Sequence, residues 1–181
     1  MIEKENLQTK KICNASKWAI TGFMGAGKSW LIERLKLLGA KTGDLDQFIE
    51  STKGKSISDI IVQEGMEAFR DIETEKLKNY LETYDHFFLA LGGGTLSERN
   101  LESLRFHGVN IIFIDTPFEV CLKRINNGPE RPLAKLSKTK LEELYQERLK
   151  FYKKADVTLK LKPDLNHAEL KELLLNQGIK F

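Results

Sequence analysis

The sequence predicts an α/β fold built on a parallel sheet, and three observations carry that expectation. Apolar runs of strand length alternate with helical stretches from about residue 17 onward, the pattern of helices packed around a sheet. Two of the runs, Phe87-Phe88-Leu89-Ala90-Leu91 and Ile111-Ile112-Phe113-Ile114, are continuously apolar, as strands buried on both faces are. The segment Gly22-Phe23-Met24-Gly25-Ala26-Gly27-Lys28-Ser29 fits G-x-x-x-x-G-K-[ST], and it lies between an apolar run and a helical opening, the setting in which that motif binds phosphate.

In chain order, strands are expected near 17–21, 40–44, 87–91, 110–115 and 156–161. Helices are expected near 28–38, 46–52, 57–64, 66–83, 98–106, 117–127, 138–154 and 167–176. Trp18-Ala19-Ile20-Thr21 reads as the strand before the glycine-rich loop, and Trp30-Leu31-Ile32-Glu33-Arg34-Leu35 as the helix after it. Gly54 and Gly65 divide the next helical stretch into pieces. Ser56 with Asp59, and Asn166 with Glu169, have the spacing of capping boxes or close variants. Asp115 precedes Thr116-Pro117, and a proline there opens a helix, so Asp115 is read as its cap. Residues 128–137, polar and with two prolines, fall between helices and are the expected lid. Residues 1–16 read as a polar tail, and 17–181 as a single domain built on the phosphate loop, in which the resemblance drawn below implies a kinase with its substrate region at about 45–73.

Composition narrows the function classes. The 181 residues are enough for one full core. A net charge of +3 suits anionic small substrates and is too weak for a nucleic-acid surface. No apolar run approaches a membrane span, and the polar N-terminus does not read as a signal peptide. Cys13 and Cys121 stand apart without metal-ligand spacing, which fits free thiols in the cytoplasm. His86, His107 and His167 fall at element edges and are read as structural or exposed.

Four features carry chemistry. In the phosphate loop, glycines let backbone N–H groups wrap an anion at a helix N-terminus. Lys28 reaches the β- and γ-phosphates, and the Ser29 hydroxyl is placed to ligate Mg²⁺. Asp44-Leu45-Asp46 ends the second strand, where ligands of open α/β sheets bind. These two carboxylates either divide between metal and substrate hydroxyl, or Asp46 is simply a helix N-cap. Gly92-Gly93-Gly94 follows the third strand. Three consecutive glycines are entropically costly and suit a backbone that a ligand approaches closely. Arg70, Arg131 and Arg148 are candidates for gripping carboxylate or phosphate.

The order G-F-M-G-A-G-K-S, D-L-D-Q-F-I-E, E-A-F-R-D-I-E, L-G-G-G-T, E-R-P-L and the helix Gln146-Glu147-Arg148-Leu149-Lys150-Phe151-Tyr152 resembles the shikimate kinases over residues 17–176. The resemblance implies a three-layer α/β sandwich like the nucleoside monophosphate kinases, with a five-stranded parallel sheet of order 2-3-1-4-5. It implies transfer of the γ-phosphate of ATP to the 3-hydroxyl of shikimate, with Mg²⁺, by a monomer. It places Gly25, Ala26, Gly27, Lys28, Ser29, Trp30, Arg124 and Arg131 at ATP, with Arg124 against adenine. Asp46, Arg70, Gly93, Gly94 and Arg148 fall at shikimate, with Glu73 buttressing Arg70. Lys28, Asp46 and Arg131 would be catalytic, and Ser29 with Asp44 through water would hold the metal. Trp30 stands where a small or hydroxyl residue is common, Ile61 where an aromatic is, and Pro163 is a candidate for the adenine site. A gluconate-type kinase and a non-catalytic nucleotide-binding module are the competing readings.

Overall fold

Five strands form one parallel sheet in the order β2-β3-β1-β4-β5. The computed structural model describes residues 17–127, 136–162 and 164–181. The strands are β1 (Lys17–Thr21), β2 (Thr42–Asp44), β3 (Phe87–Ala90), β4 (Asn110–Ile114) and β5 (Val157–Leu159). The two continuously apolar runs become β3 and β4, which flank β1, with Trp18 opposite Phe88 and Ala19 opposite Ile111. All four residues of β3 are buried, because helices cover both faces of a parallel sheet. The indole of Trp18 is fully buried and stacks on Phe88 at 6.4 Å.

The helices are α1 (Lys28–Leu37), α2 (Leu45–Lys53), α3 (Ile57–Thr83), α4 (Glu98–Phe106), α5 (Phe118–Asn126), α6 (Lys138–Tyr152) and α7 (His167–Asn176). The two helices expected at 57–64 and 66–83 run on as α3 with a break at Gly65, whose φ of 89° and ψ of 167° are non-helical. Asn166 and Glu169 make a full capping box at α7. Ser56 accepts from the Asp59 N–H but is met by the Asp59 carboxylate rather than by a returned backbone bond, a half-box.

Two expectations about caps are corrected. Asp115 does not cap α5. That helix starts from Pro117 with no side-chain cap bond, and Asp115 lies 3.7 Å from Lys160 instead. At α2 the cap is Asp44, not Asp46: Asp44 has the extended backbone of an N-cap, and its side chain accepts from the Asp46 and Gln47 N–H groups. The helix starts one residue earlier than expected, which moves Asp46 into the first turn. The expected lid falls largely on residues 128–135, outside the described residues.

The topology places four segments at the same edge of the sheet. The phosphate loop follows β1, Asp44 ends β2, the triple glycine follows β3, and Leu161 and Lys162 follow β5. Open parallel sheets bind ligands at the carboxyl ends of their strands.

Candidate active site

The phosphate loop is braced from within and from behind. Gly27 caps α1 with φ 110°, a left-handed conformation that a side chain would strain. Lys28 Nζ donates to the carbonyls of Gly22 at 2.8 Å and Phe23 at 3.2 Å, bridging the loop it belongs to. Thr116 Oγ1 donates to Ala26 O at 2.9 Å, and Arg124 Nη1 to Gly25 O at 2.9 Å. Arg124 therefore sits directly against the loop backbone, on α5. Ser29 is exposed at the start of α1. Trp30, half-buried, carries the Arg34 guanidinium 5.3 Å from its ring centre.

Asp44 Oδ1 accepts from Asp46 N at 2.9 Å and from Gln47 N at 3.2 Å. Its other oxygen is not needed by the cap. Asp46 has a carboxyl raised to about 6, first by burial and then by the neighbouring charges of Asp44 and Glu73, against the pull of Lys28. It is thus within electrostatic reach of both the phosphate loop and α3.

The opposite end of the site is a pair of guanidiniums around Gly94. A Cβ at that position would stand 2.5 Å from Arg70 Nη2 and 2.8 Å from Arg148 Nη2, so only glycine lets the two arginines close over the backbone. Arg70 Nη1 pairs with Glu73 Oε2 at 2.6 Å, and Glu73 is almost fully buried. Burial lowers the pKa of Arg148, and the neighbouring Arg70 lowers it further. Two cations held this close call for an anion between them.

One cavity of about 730 Å³ gathers these groups, a size that suits a small-molecule site. Its lining includes every described residue expected at the site: Gly25 to Trp30, Asp44, Asp46, Arg70, Gly93, Gly94, Arg124 and Arg148. Arg131 and Pro163 lie outside the described residues. Ile61 lines the same cavity with Met66 and Phe69 as an apolar wall.

Sequence reasoning missed two groups. Thr95 Oγ1 donates to Glu73 Oε1, so the residue after the glycines holds the carboxylate that holds Arg70. The Tyr152 hydroxyl donates to Gly93 O. Tyr152 stands four residues after Arg148 on one helix, and that spacing was a usable signal.

An anion cradle at one end of a cavity, a guanidinium clamp at the other and a half-buried carboxylate between them define a P-loop phosphotransferase acting on a small acid. A family model described as shikimate kinase matches residues 24–177. The chain belongs to the shikimate kinase family, phosphotransferases that act on a hydroxyl group. It is 37% identical over 152 residues to a shikimate kinase of Dictyoglomus turgidum, covering 81% of this chain and 88% of the relative. Among solved structures, the shikimate kinase of Aquifex aeolicus is similar, with a TM-score of 0.75 at 31% identity over 89% of this chain and 95% of that one. The shikimate kinase of Acinetobacter baumannii, solved in complex with shikimate, has a TM-score of 0.78 at 29% identity over 91% and 94%. Family membership sets aside both the gluconate-type kinase and the non-catalytic module.

Proposed function

We propose that the residues of this cavity perform, in this chain, the ATP-dependent phosphorylation of shikimate that defines the family, at the 3-hydroxyl. The observation that carries the reading is the closure of Arg70 and Arg148 over Gly94 in the cavity that also holds the phosphate loop. Shikimate is a carboxylate bearing three hydroxyls. The two guanidiniums take the carboxylate in bidentate fashion. Gly93 and Gly94 offer backbone groups to a hydroxyl. Asp46 receives the reacting hydroxyl and accepts its proton, although a loose phosphoryl transition state asks little of a base.

On the nucleotide side, the backbone of Gly25, Ala26 and Gly27 wraps the phosphates, with Trp30 lining the same end. Lys28 leaves its loop carbonyls for the β- and γ-phosphates, and the family resemblance assigns Arg131 to the same phosphates. Arg124 lies against the nucleotide from behind the loop. Ser29 and Asp44 both line the cavity and offer hard oxygen donors, the donor type that Mg²⁺ takes. Among the described residues no group of three or more His, Cys, Asp or Glu side chains forms a cage for a metal, in keeping with an ion that arrives with the nucleotide and keeps its waters. Ser29 would ligate the ion directly and Asp44 through a water; when bound, Mg²⁺ neutralises charge on the phosphates. We place the enzyme in the cytoplasm as a monomer. Among the described residues no helix is long and apolar enough to cross a membrane.

A coupled ADP-release assay across shikimate, quinate, gluconate and simple hydroxy acids tests the reading. The expected result is Mg²⁺-dependent ADP release with shikimate far above the others, in a species whose size-exclusion mass is that of one chain. Preference for gluconate, or release independent of any acid, overturns it.

A further inference from the structure

Tyr152 is buried near the end of α6 and lies against Phe113 of β4, ring centres 5.3 Å apart. Its ring is fixed by packing, so its hydroxyl is fixed too. That hydroxyl donates to Gly93 O. Arg148 stands one turn earlier on the same helix and interacts electrostatically with Tyr152. One buried side chain therefore links the backbone of the triple-glycine loop to the helix that carries an arginine of the clamp.

The consequence follows from peptide geometry. Every described peptide bond is trans, so the C=O of Gly93 and the N–H of Gly94 point in opposite directions from one rigid plane. Drawing Gly93 O toward α6 turns the Gly94 N–H away from α6. Three glycines have no side chains to set that plane and span a wide range of φ and ψ. Thr95 N–H donates to Gly92 O at 3.1 Å and closes the loop as a turn, while the other side-chain anchors act on Thr95: Asn100 Nδ2 donates to Thr95 O at 2.8 Å, and Thr95 Oγ1 donates to Glu73. Within that turn, Tyr152 is the side chain that holds the central peptide between Gly93 and Gly94.

We infer that Tyr152 is a positioning residue for substrate: through its bond to Gly93 O it orients the Gly94 N–H as a fixed donor into the cavity and ties that donor to the helix that carries Arg148. The inference rests on the reading that Gly94 and Arg148 meet the acid substrate. It sets a division of labour within α6, where Arg148 supplies charge and Tyr152 supplies aim.

The experiment compares Tyr152→Phe with Gly94→Ala, both with shikimate and ATP varied separately. Phenylalanine keeps the ring against Phe113, so far-UV circular dichroism and the melting temperature should stay near those of the parent chain. Tyr152→Phe is expected to raise KM for shikimate about ten-fold, leave KM for ATP within two-fold and lower kcat less than three-fold. Gly94→Ala forces the two guanidiniums aside and is expected to raise KM for shikimate more steeply still. If Gly94→Ala impairs shikimate use but Tyr152→Phe does not, the positioning role fails and the site stands. Should Tyr152→Phe raise both KM values equally, the tyrosine is merely structural and the inference is overturned. Were both variants to leave KM for shikimate unchanged, the site reading itself would fall, and the inference with it.

Discussion

Asp44 caps the helix on which Asp46 stands, its Oδ1 accepting the Asp46 N–H at 2.9 Å. The two carboxylates are thereby locked in relation to each other, with Asp44 fixed at the sheet edge and Asp46 one step into the helix. Asparagine caps as well as aspartate, so Asp44→Asn keeps the helix start and removes only charge. It is expected to raise the Mg²⁺ requirement several-fold and leave shikimate affinity nearly unchanged. Asp44→Ala should in addition lose about 1 kcal/mol of stability. Asp46→Asn should instead abolish most turnover and weaken shikimate, with Mg·ATP affinity kept. Separate titrations of Mg²⁺ and shikimate distinguish these outcomes, and the reverse pattern would exchange the two roles.

The same pair sets a pH dependence. Asp46 is raised to about 6 by burial and by its acidic neighbours. Its folded pKa lies above the unfolded one, so the folded chain holds the proton more tightly, and stability contributed by this group falls as pH rises from about 4 to about 6. At neutral pH the charged carboxylate costs on the order of 2–3 kcal/mol. Asp46→Asn should therefore melt higher than the parent at pH 7, with the gain disappearing near pH 4. Turnover should decline as pH drops through about 6, because the base is then protonated. In Asp44→Asn, where a neighbouring charge is gone, that acid limb should move to lower pH.

Lys28 reaches two carbonyls of its own loop, so it stabilises the loop in addition to the phosphate role proposed for it. Lys28→Ala is expected to reduce kcat by a factor of about 100 or more, since phosphoryl transfer depends on neutralising charge at the transferring group. The melting temperature should fall only slightly. A folded variant with near-normal turnover would remove the phosphate loop from the mechanism.

The two arginines of the clamp should fail differently. Arg70 neutralises Glu73, which is almost fully buried, and a buried charge left without its partner costs roughly 3–5 kcal/mol. Arg70→Ala should lose both stability and shikimate binding. Arg148 is itself disfavoured as a cation by burial and by Arg70. Arg148→Ala should lose shikimate binding by a comparable factor while melting close to the parent. Thermal denaturation beside separate KM values for shikimate and ATP checks both, and equal instability in the two variants would contradict the asymmetry.

Much of this architecture is legible in the sequence because single residue types enforce it. The apolar runs at 87–91 and 111–114 have no polar face to show solvent, so they had to be central strands. The phosphate loop declares itself through glycines that no other residue replaces cheaply, and Gly65 through a break that the helix pattern cannot cross. What was misread depends on a choice between near-equal neighbours. Asp44 and Asp46 are both competent N-caps, and only the exact start of α2 decides between them. Asp115 had a proline-led helix beside it, but Lys160 arrives from the segment after β5, far along the chain. Thr95 acts through a contact 22 residues away in the chain, which no local pattern records. Tyr152 reaches a carbonyl 59 residues away, and the only local trace of its place is its spacing from Arg148 on one helix.

The placement of the two tryptophans has an optical consequence. Trp18 lies sealed beneath the sheet against Phe88, so its emission should be blue-shifted and insensitive to anything in the cavity. Trp30 lines the phosphate end of the cavity, with a guanidinium beside its ring. Charge arriving there should change its quenching. The native chain thus carries two separable fluorophores, one reporting whether the sheet is intact and one whether the nucleotide end is filled, and a dye-free titration can follow both at once.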